Sequence, residues 1–274
     1  MQTSGRFGAL FERLREEDRG GLYPFVTAGD PALSFTRRLL PALAAAGADG
    51  FEIGVPFSDP LADGPTIQRS SARSLEGGTT LRSVIDLVAG LRGEMPDTPF
   101  VLMTYYNPII AFGLKAFCRE TARAGADAVL VPDLPPEEAP DLLESMAEVF
   151  LEPIFMLAPT STETRIDLVN RVGGGFIYYV AQMGVTGARD SLAYDMGDAL
   201  ERINRVKNRP VVVGFGIKTP GQAAEAAAIS DGVIVGSALI DVMEKEEGDE
   251  EKLAAACRFI GSLRRALESS KTAP

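Results

Sequence analysis

The chain has 274 residues, 46% hydrophobic and 24% charged, enough apolar material for a sizeable core and too much for a disordered chain. It contains no His, which excludes imidazole catalysis and His-ligated metal and leaves proton transfer to carboxylates, Tyr, Lys, Cys or water. Its 27 Lys plus Arg against 38 Asp plus Glu give a formal charge of -11. That argues against a nucleic-acid partner, yet lets a phosphate sit on local backbone N–H groups.

Residues 1–20 mix both charges and hold no apolar h-region, so no signal peptide is expected. Residues 6–17 predict a short amphipathic helix with Phe7, Leu10, Phe11 and Leu14 on one face. No run of 18 apolar residues occurs, so no membrane span is expected and the cytoplasm is the expected location. Cys118 and Cys257 are far apart in helical-looking segments, which suggests structural thiols in a reducing compartment.

After Gly20 and Gly21, short apolar runs recur at about 22–27, 49–54, 99–104, 127–131, 153–158, 175–180, 210–214 and 232–235. Helical patterns fill the gaps, at 33–46, 80–92, 112–124, 137–149, 162–171, 196–206, 219–228 and 252–268. Runs apolar at consecutive positions, such as VVVG, suit parallel strands covered on both faces. Eight strand–helix units predict the α/β class and a single (β/α)8 TIM barrel over residues 1–274, with an additional N-terminal helix. A doubly wound sheet is the rival, but the early glycine-rich dinucleotide loop it often carries is absent.

Weak repetition supports the count. Ala46-Gly47-Ala48-Asp49, Ala124-Gly125-Ala126-Asp127 and Ser230-Asp231-Gly232 each lead from a helix end through a tight turn into a strand. Residues 244–252, EKEEGDEEK, read as a solvated face or a helix-joining loop.

The least ordinary segment is FEIGVPFSDPLADGPTIQ, residues 51–68. Alternation puts Glu52 on the face opposite Phe51 and Ile53. If those two pack against helices, Glu52 points into the barrel near its C-terminal end, where barrel active sites lie. A carboxyl there costs several kcal/mol unless paired, protonated or hydrated, and burial can raise its pKa to a useful value. Asp59 and Asp63 follow among prolines and Gly64. A βα loop can fold such an acid back over its own strand, although each could equally be a turn or capping residue.

Later glycines cluster after the sixth, seventh and eighth runs: Gly184 and Gly187, Gly214 and Gly216, and Gly236. Backbone N–H groups at Gly216, Gly236 and Ser237 would make an anion cradle, in the loops where barrels often hold phosphate. No Walker-type or strand-linked dinucleotide motif is present, so ATP and NAD are poor candidates. Tyr178 and Tyr179 are adjacent, so one should face the barrel interior, and alternation alone does not say which.

Residues 181–196, with Gly184, Gly187 and Arg189, read as a candidate lid. Lys115, Lys207 and Lys218 are not centred in strands, which disfavours a Schiff base. Acid clusters could hold Mg²⁺, but the glycine cradle can take phosphate without a metal, so none is expected.

Together PFVTAGDP (24–31), FEIGVPFSDPLADGPTIQ (51–68), MTYYNP (103–108), VPDLPPEE (131–138), GVTG (184–187) and GFGI (214–217) resemble the tryptophan synthase alpha chain family over nearly the whole chain. The 51–68 block is highly specific; the glycine clusters are shared with many phosphate-binding barrels. The resemblance implies cleavage of indole-3-glycerol phosphate to indole and glyceraldehyde 3-phosphate. By it, Glu52 is the acid–base catalyst, Asp63 binds the indole N–H, and Tyr178, the sixth-strand Tyr, is the third catalytic residue. Gly187, Gly216, Gly236 and Ser237 contact phosphate. Phe25, Ile67 and Tyr105 line the indole pocket, and Thr186 is the lid residue that supports Asp63.

Some family members carry Arg where this chain has Gln182, which bears on the closed lid. The resemblance further implies no cofactor in this chain and a pyridoxal-phosphate-dependent beta chain as partner in an α2β2 assembly. Residues 56–60, 107–108 and 132–136 are the expected contact segments. A free-standing indole-3-glycerol phosphate lyase, another phosphate-sugar enzyme on this fold and a catalytically silent activator subunit remain as alternatives.

Overall fold

The structure, a computed structural model, describes residues 5–180, 192–214 and 216–269. Strands β1 (Gly21–Thr27), β2 (Phe51–Gly54), β3 (Phe100–Met103), β4 (Ala128–Leu130), β5 (Glu152–Ile154), β6 (Met156–Leu157), β7 (Ile177–Val180), β8 (Val211–Gly214) and β9 (Gly232–Val235) form one parallel sheet. Their spatial order is β5-β4-β3-β2-β1-β9-β8-β7-β6. The two ends of that order are consecutive pieces of chain, so the sheet closes on itself as a TIM barrel.

The expected fifth strand is therefore present but broken at Phe155. Before the break it pairs with β4, and after it with β7. Pro153 has no N–H to give a ladder, and the Phe155 carbonyl accepts from Tyr178 N at 3.1 Å, which carries the pairing over to β7.

Helices α1 (Gly5–Glu16), α2 (Leu33–Ala45), α3 (Pro65–Glu76), α4 (Leu81–Glu94), α5 (Tyr106–Phe112), α6 (Leu114–Ala124), α7 (Pro140–Ala147), α8 (Glu163–Val172), α9 (Leu192–Val206), α10 (Pro220–Ala228), α11 (Ser237–Glu244) and α12 (Asp249–Ser269) connect and cover the strands. Three departures from the expected helices occur. The helix expected at 112–124 is present as α6, and a further short helix, α5, precedes it, the two parted by Gly113 at φ +94°. The one expected at 137–149 becomes a 3-10 turn at Pro136–Glu138 followed by α7, because Pro140 has no N–H to continue the turn. α9 starts at Leu192, inside the segment expected to form a lid. The charged 244–252 stretch joins α11 to α12, as one of its two readings had it.

The N-terminal helix closes the lower end of the barrel. Its Phe7 and Phe11 rings lie 5.6 and 6.4 Å from Phe176, which in turn lies 5.7 Å from Tyr23 on β1. Aromatic pairs at these separations add to their area burial. Cys118 on α6 and Cys257 on α12 are free thiols, the first buried. Among the described residues no helix is long and apolar enough to cross a membrane.

The repeated turns noted in the sequence have a common physical task. Asp49, Asp127 and Asp231 each accept a hydrogen bond from the backbone of the preceding strand or its edge: from Leu22 N at 2.9 Å, Phe100 N at 2.8 Å and Val211 N at 2.8 Å. Each carboxylate is also paired with cations. Arg19 and Arg264 hold Asp49 at 2.9 Å, Arg6 and Arg92 hold Asp127 at 2.9 Å, and Lys207 holds Asp231 at 2.6 Å.

Asp49 and Arg264 are both buried. Removing one partner strands the other charge in a poor solvent. Asp49→Ala is expected to destabilise the fold by about 3–5 kcal/mol, read from the denaturation midpoint. A loss below about 1 kcal/mol, the range of an exposed pair, would contradict this account of the staple.

Candidate active site

Glu52 and Phe25 are partners across β2 and β1, so their side chains share the inner face of the barrel. Phe51 and Ile53 are fully buried on the other face, against the helical layer. Sequence alternation thus places Glu52 correctly. The upper end of the barrel holds a cavity of about 260 Å³, lined by Phe25, Glu52, Asp63, Ile67, Tyr178, Gly216, Gly236 and Ser237. Eight residues singled out in the sequence meet in that one space. Tyr105 adjoins it through a small recess shared with Phe25, Asp63 and Ile67. Thr186, Gly187, Gln182 and most of the expected lid lie outside the described residues.

The Tyr178/Tyr179 ambiguity is resolved by register and space. Tyr178 pairs with Met156 and Val212 and faces the cavity. Its ring lies over Gly214, where a Cβ would stand 2.4 Å from it, so β8 must carry glycine there. Tyr179 points toward the helices, where it feels the charge of Arg202 on α9.

Asp63 is held over β2 by its own loop. Its N–H donates to Pro60 O at 3.0 Å, and Gln68 Nε2 donates to its carbonyl at 2.8 Å. The loop is anchored by α3, whose buried face is Ser70, Ser71 and Ser74 rather than an apolar stripe. Ser70 and Thr27 of β1 share a hydrogen bond of 2.7 Å, and Ser74 Oγ donates to Ala28 O. Arg73 grips Asp30 with two bonds of 2.8 and 2.7 Å. The Tyr105 hydroxyl accepts from Ala62 N at 3.0 Å and bonds the Asp63 carboxylate.

The electrostatics separate the two acids. Glu52 is 3% exposed. Burial, aided by the Asp63 charge, pushes its carboxyl up to about 8 against a hydrogen bond from Tyr178. Its Oε2 is buried with no hydrogen-bond partner, a position costly for a carboxylate and apt for a group that hands over a proton. Burial, less complete than for Glu52, raises Asp63 to about 6, against the Tyr105 hydrogen bond that holds it down. Burial and the Glu52 and Asp63 charges push the Tyr178 hydroxyl well above its ordinary value, so it stays a neutral donor. Near pH 7 the site thus pairs a protonated Glu52 with an ionised Asp63, two like groups set to different tasks by their surroundings.

On the β8–β9 side, Gly216 adopts φ +79°, open to glycine without strain. Gly236 and Ser237 begin α11, whose first N–H groups have no helical acceptor. Sequence reasoning missed the apolar wall of Met103, Leu130, Pro132, Met156 and Ile234, and the polar Thr66, Lys218 and Asp241. The wall residues at strand ends look like ordinary core. Their signal was position alone, one alternation above the inward layer. Among the described residues no group of three or more His, Cys, Asp or Glu could hold a metal ion.

A sequence model of the family described as tryptophan synthase alpha chain matches residues 11–268. The tryptophan synthase alpha chain of Geobacter sp. (strain M21) is 48% identical over 264 residues, covering 96% of this chain and 97% of that one. That of Chloroflexus aurantiacus is 46% identical, covering 94% and 97%. Among solved structures, tryptophan synthase subunit alpha from Legionella pneumophila str. Paris superposes with a TM-score of 0.89 at 33% identity, over 97% of this chain and all of that one. In sequence over nearly its full length, and in fold, the chain belongs to the tryptophan synthase alpha chain family, a family of enzymes.

Proposed function

We propose that the chain cleaves indole-3-glycerol phosphate to indole and glyceraldehyde 3-phosphate, a retro-aldol lyase reaction, as the alpha subunit of tryptophan synthase. The observation that carries this reading is the buried Glu52 carboxyl, raised to about 8 and with its Oε2 unpartnered, facing a cavity that it shares with Asp63 and the glycine cradle.

Glu52 gives its proton to indole C3, which turns the ring nitrogen into a cationic iminium N–H. Asp63, ionised, accepts that N–H and stabilises the charge. The Glu52 carboxylate then takes the proton of the hydroxyl on the adjacent glycerol carbon. The carbon–carbon bond breaks, its electrons return to the ring, and an aldehyde forms. Glu52 ends as it began, so one group serves as acid and base. Tyr178 steadies the carboxylate while it exists. Gly216, Gly236 and Ser237 hold the phosphate and orient the tail, with Gly187 and the lid residue Thr186 added by the family pattern. Phe25, Ile67 and Tyr105 flank the indole. No step needs a metal or cofactor.

The same reading takes residues 1–274 as one barrel domain, in keeping with an apolar core that runs from Phe7 to Leu267. It places the chain in the cytoplasm, with a beta chain as partner in an α2β2 assembly; pyridoxal phosphate belongs to that partner. Of the contact segments at 56–60, 107–108 and 132–136, the first and third meet Tyr105 and Tyr106, just before the second. Phe57 lies 5.2 Å from the Tyr105 ring, and Tyr106 N donates to Asp133 at 2.9 Å. Beside them Leu61 is 90% and Ile110 50% exposed. A preorganised surface lowers the ordering cost of docking.

An indole-release assay on the pure chain, repeated with the beta chain, tests the function. Indole is expected in both, with stronger turnover in the complex and an alkaline limb near pH 8 where Glu52 loses its proton. Turnover without partner activation would favour a free-standing lyase. No turnover in either mixture, with the partner bound, would favour a silent activator.

A further inference from the structure

Lys218 is the cationic cavity residue among the described ones, and the catalytic scheme does not use it. It follows Gly216 and Ile217 in the loop after β8 and lines the same cavity as Gly216, Gly236 and Ser237. It is the only cation among the described residues lining that space, against three acids: Glu52, Asp63 and Asp241. Each acid is already engaged. Glu52 has Tyr178 and Asp63 has Tyr105. Asp241 accepts from Thr66 Oγ1 at 3.0 Å and lies 3.7 Å from Arg69. No ion pair to Lys218 occurs among the described residues.

Its backbone, in contrast, is fixed. Lys218 N donates to Gln222 Oε1 at 2.9 Å, and Thr219 caps α10 through Gln222 N. The side chain thus springs from a set point, is exposed, and stands beside an anion cradle with its charge uncommitted.

The chain as a whole carries -11 and repels an incoming dianion. Backbone N–H groups bind phosphate but supply only partial charge. A lysine ammonium supplies a full one as a point charge on a flexible stem, which suits a ligand whose oxygens rotate.

Resting on the reading of this cavity as an indole-3-glycerol phosphate site, we propose that Lys218 is a further phosphate ligand. It makes the chain select phosphorylated over unphosphorylated indole substrates. Its contribution is the charge on the phosphate, apart from the acid–base step at Glu52.

The test uses the full chain and two probes that differ only in the phosphate: 3-(indol-3-yl)propyl phosphate and 3-(indol-3-yl)propanol. Affinities are measured for the parent, Lys218→Gln and Lys218→Arg. Lys218→Gln is expected to weaken the phosphorylated probe by about tenfold, the scale of a charge-assisted contact. The alcohol should be bound as before, and Lys218→Arg should recover most of the loss. The Gln deficit should shrink as salt rises, and with indole-3-glycerol phosphate the loss should fall on KM rather than kcat.

A Gln variant that keeps the parent's preference for the phosphorylated probe would overturn the Lys218 assignment alone. So would equal weakening of both probes, which would mark a structural role. A parent chain that shows no preference between the probes would overturn the cavity reading and, with it, this proposal.

Discussion

Glu52→Gln is expected to lower indole-3-glycerol phosphate cleavage by about a thousandfold or more, the upper range for loss of a general acid–base, while a substrate analogue binds as it does to the parent. The amide keeps the shape of the protonated carboxyl and its place beside Tyr178. It cannot give up a proton and take it back. Single-turnover rates alongside analogue affinity separate the two effects, and near-parental cleavage would end the assignment.

The same substitution has a second expected result, of opposite sign. Glu52 is raised from 4.5 to about 8 in the folded chain. Between those values the native state holds a proton that the unfolded chain has released. The parent therefore loses stability as pH rises through this window, by about 1.4 kcal/mol per pH unit. Gln carries no such liability. The variant should gain on the parent from about pH 5 to 8 and hold a constant lead above that. A constant difference from pH 5 to 9 would mean that Glu52 does not carry its proton in the native state. Activity and stability thus pull in opposite directions at one residue, as expected where a carboxyl is buried for its chemistry.

Asp63→Asn is expected to lower kcat by about a hundredfold, the cost of losing one preorganised partner for developing charge. KM should change far less, because the neutral substrate N–H needs the anion less than the iminium does. The pH profile carries an independent signature. The Asp63 charge is one of the causes that raise Glu52, so its removal should move the alkaline limb to lower pH. Unchanged turnover, or a limb that stays in place, would refute the charge role.

The part of this site that could be read in the sequence is the part governed by alternation and by chemistry with few solutions. Glu52 between Phe51 and Ile53 has to lie on the face its neighbours avoid, and in a barrel that face is the interior. Gly216 and Gly236 follow strands whose next loops are the ones able to hold an anion. The three Asp-containing turns announced their repeat, though not their task of binding the preceding strand's amide.

What stayed illegible depends on contacts between distant segments. α3 buries Ser70, Ser71 and Ser74 by bonding β1, so it shows no apolar stripe to betray it. α5 has only seven residues and contains Pro108. Tyr178 faces inward because Gly214, far along the chain on β8, leaves room for its ring. The break at Phe155 follows from which neighbour each half of the strand meets, a property of closure and not of local pattern. Lys218 looked like one surface lysine among several until the barrel placed it on the same cavity as Ser237.

The central claim is that the buried Glu52 carboxyl stands at the scissile bond while the loops after β8 and β9 hold the phosphate. A crystal structure of Glu52→Gln with indole-3-glycerol phosphate trapped in the cavity tests it most directly. The introduced side-chain amide at position 52 is expected within hydrogen-bond reach, about 3 Å, of the hydroxyl next to indole C3, with the phosphate on Gly216, Gly236 and Ser237. A substrate bound with its phosphate toward Asp63, or with C3 beyond reach of position 52, would contradict it.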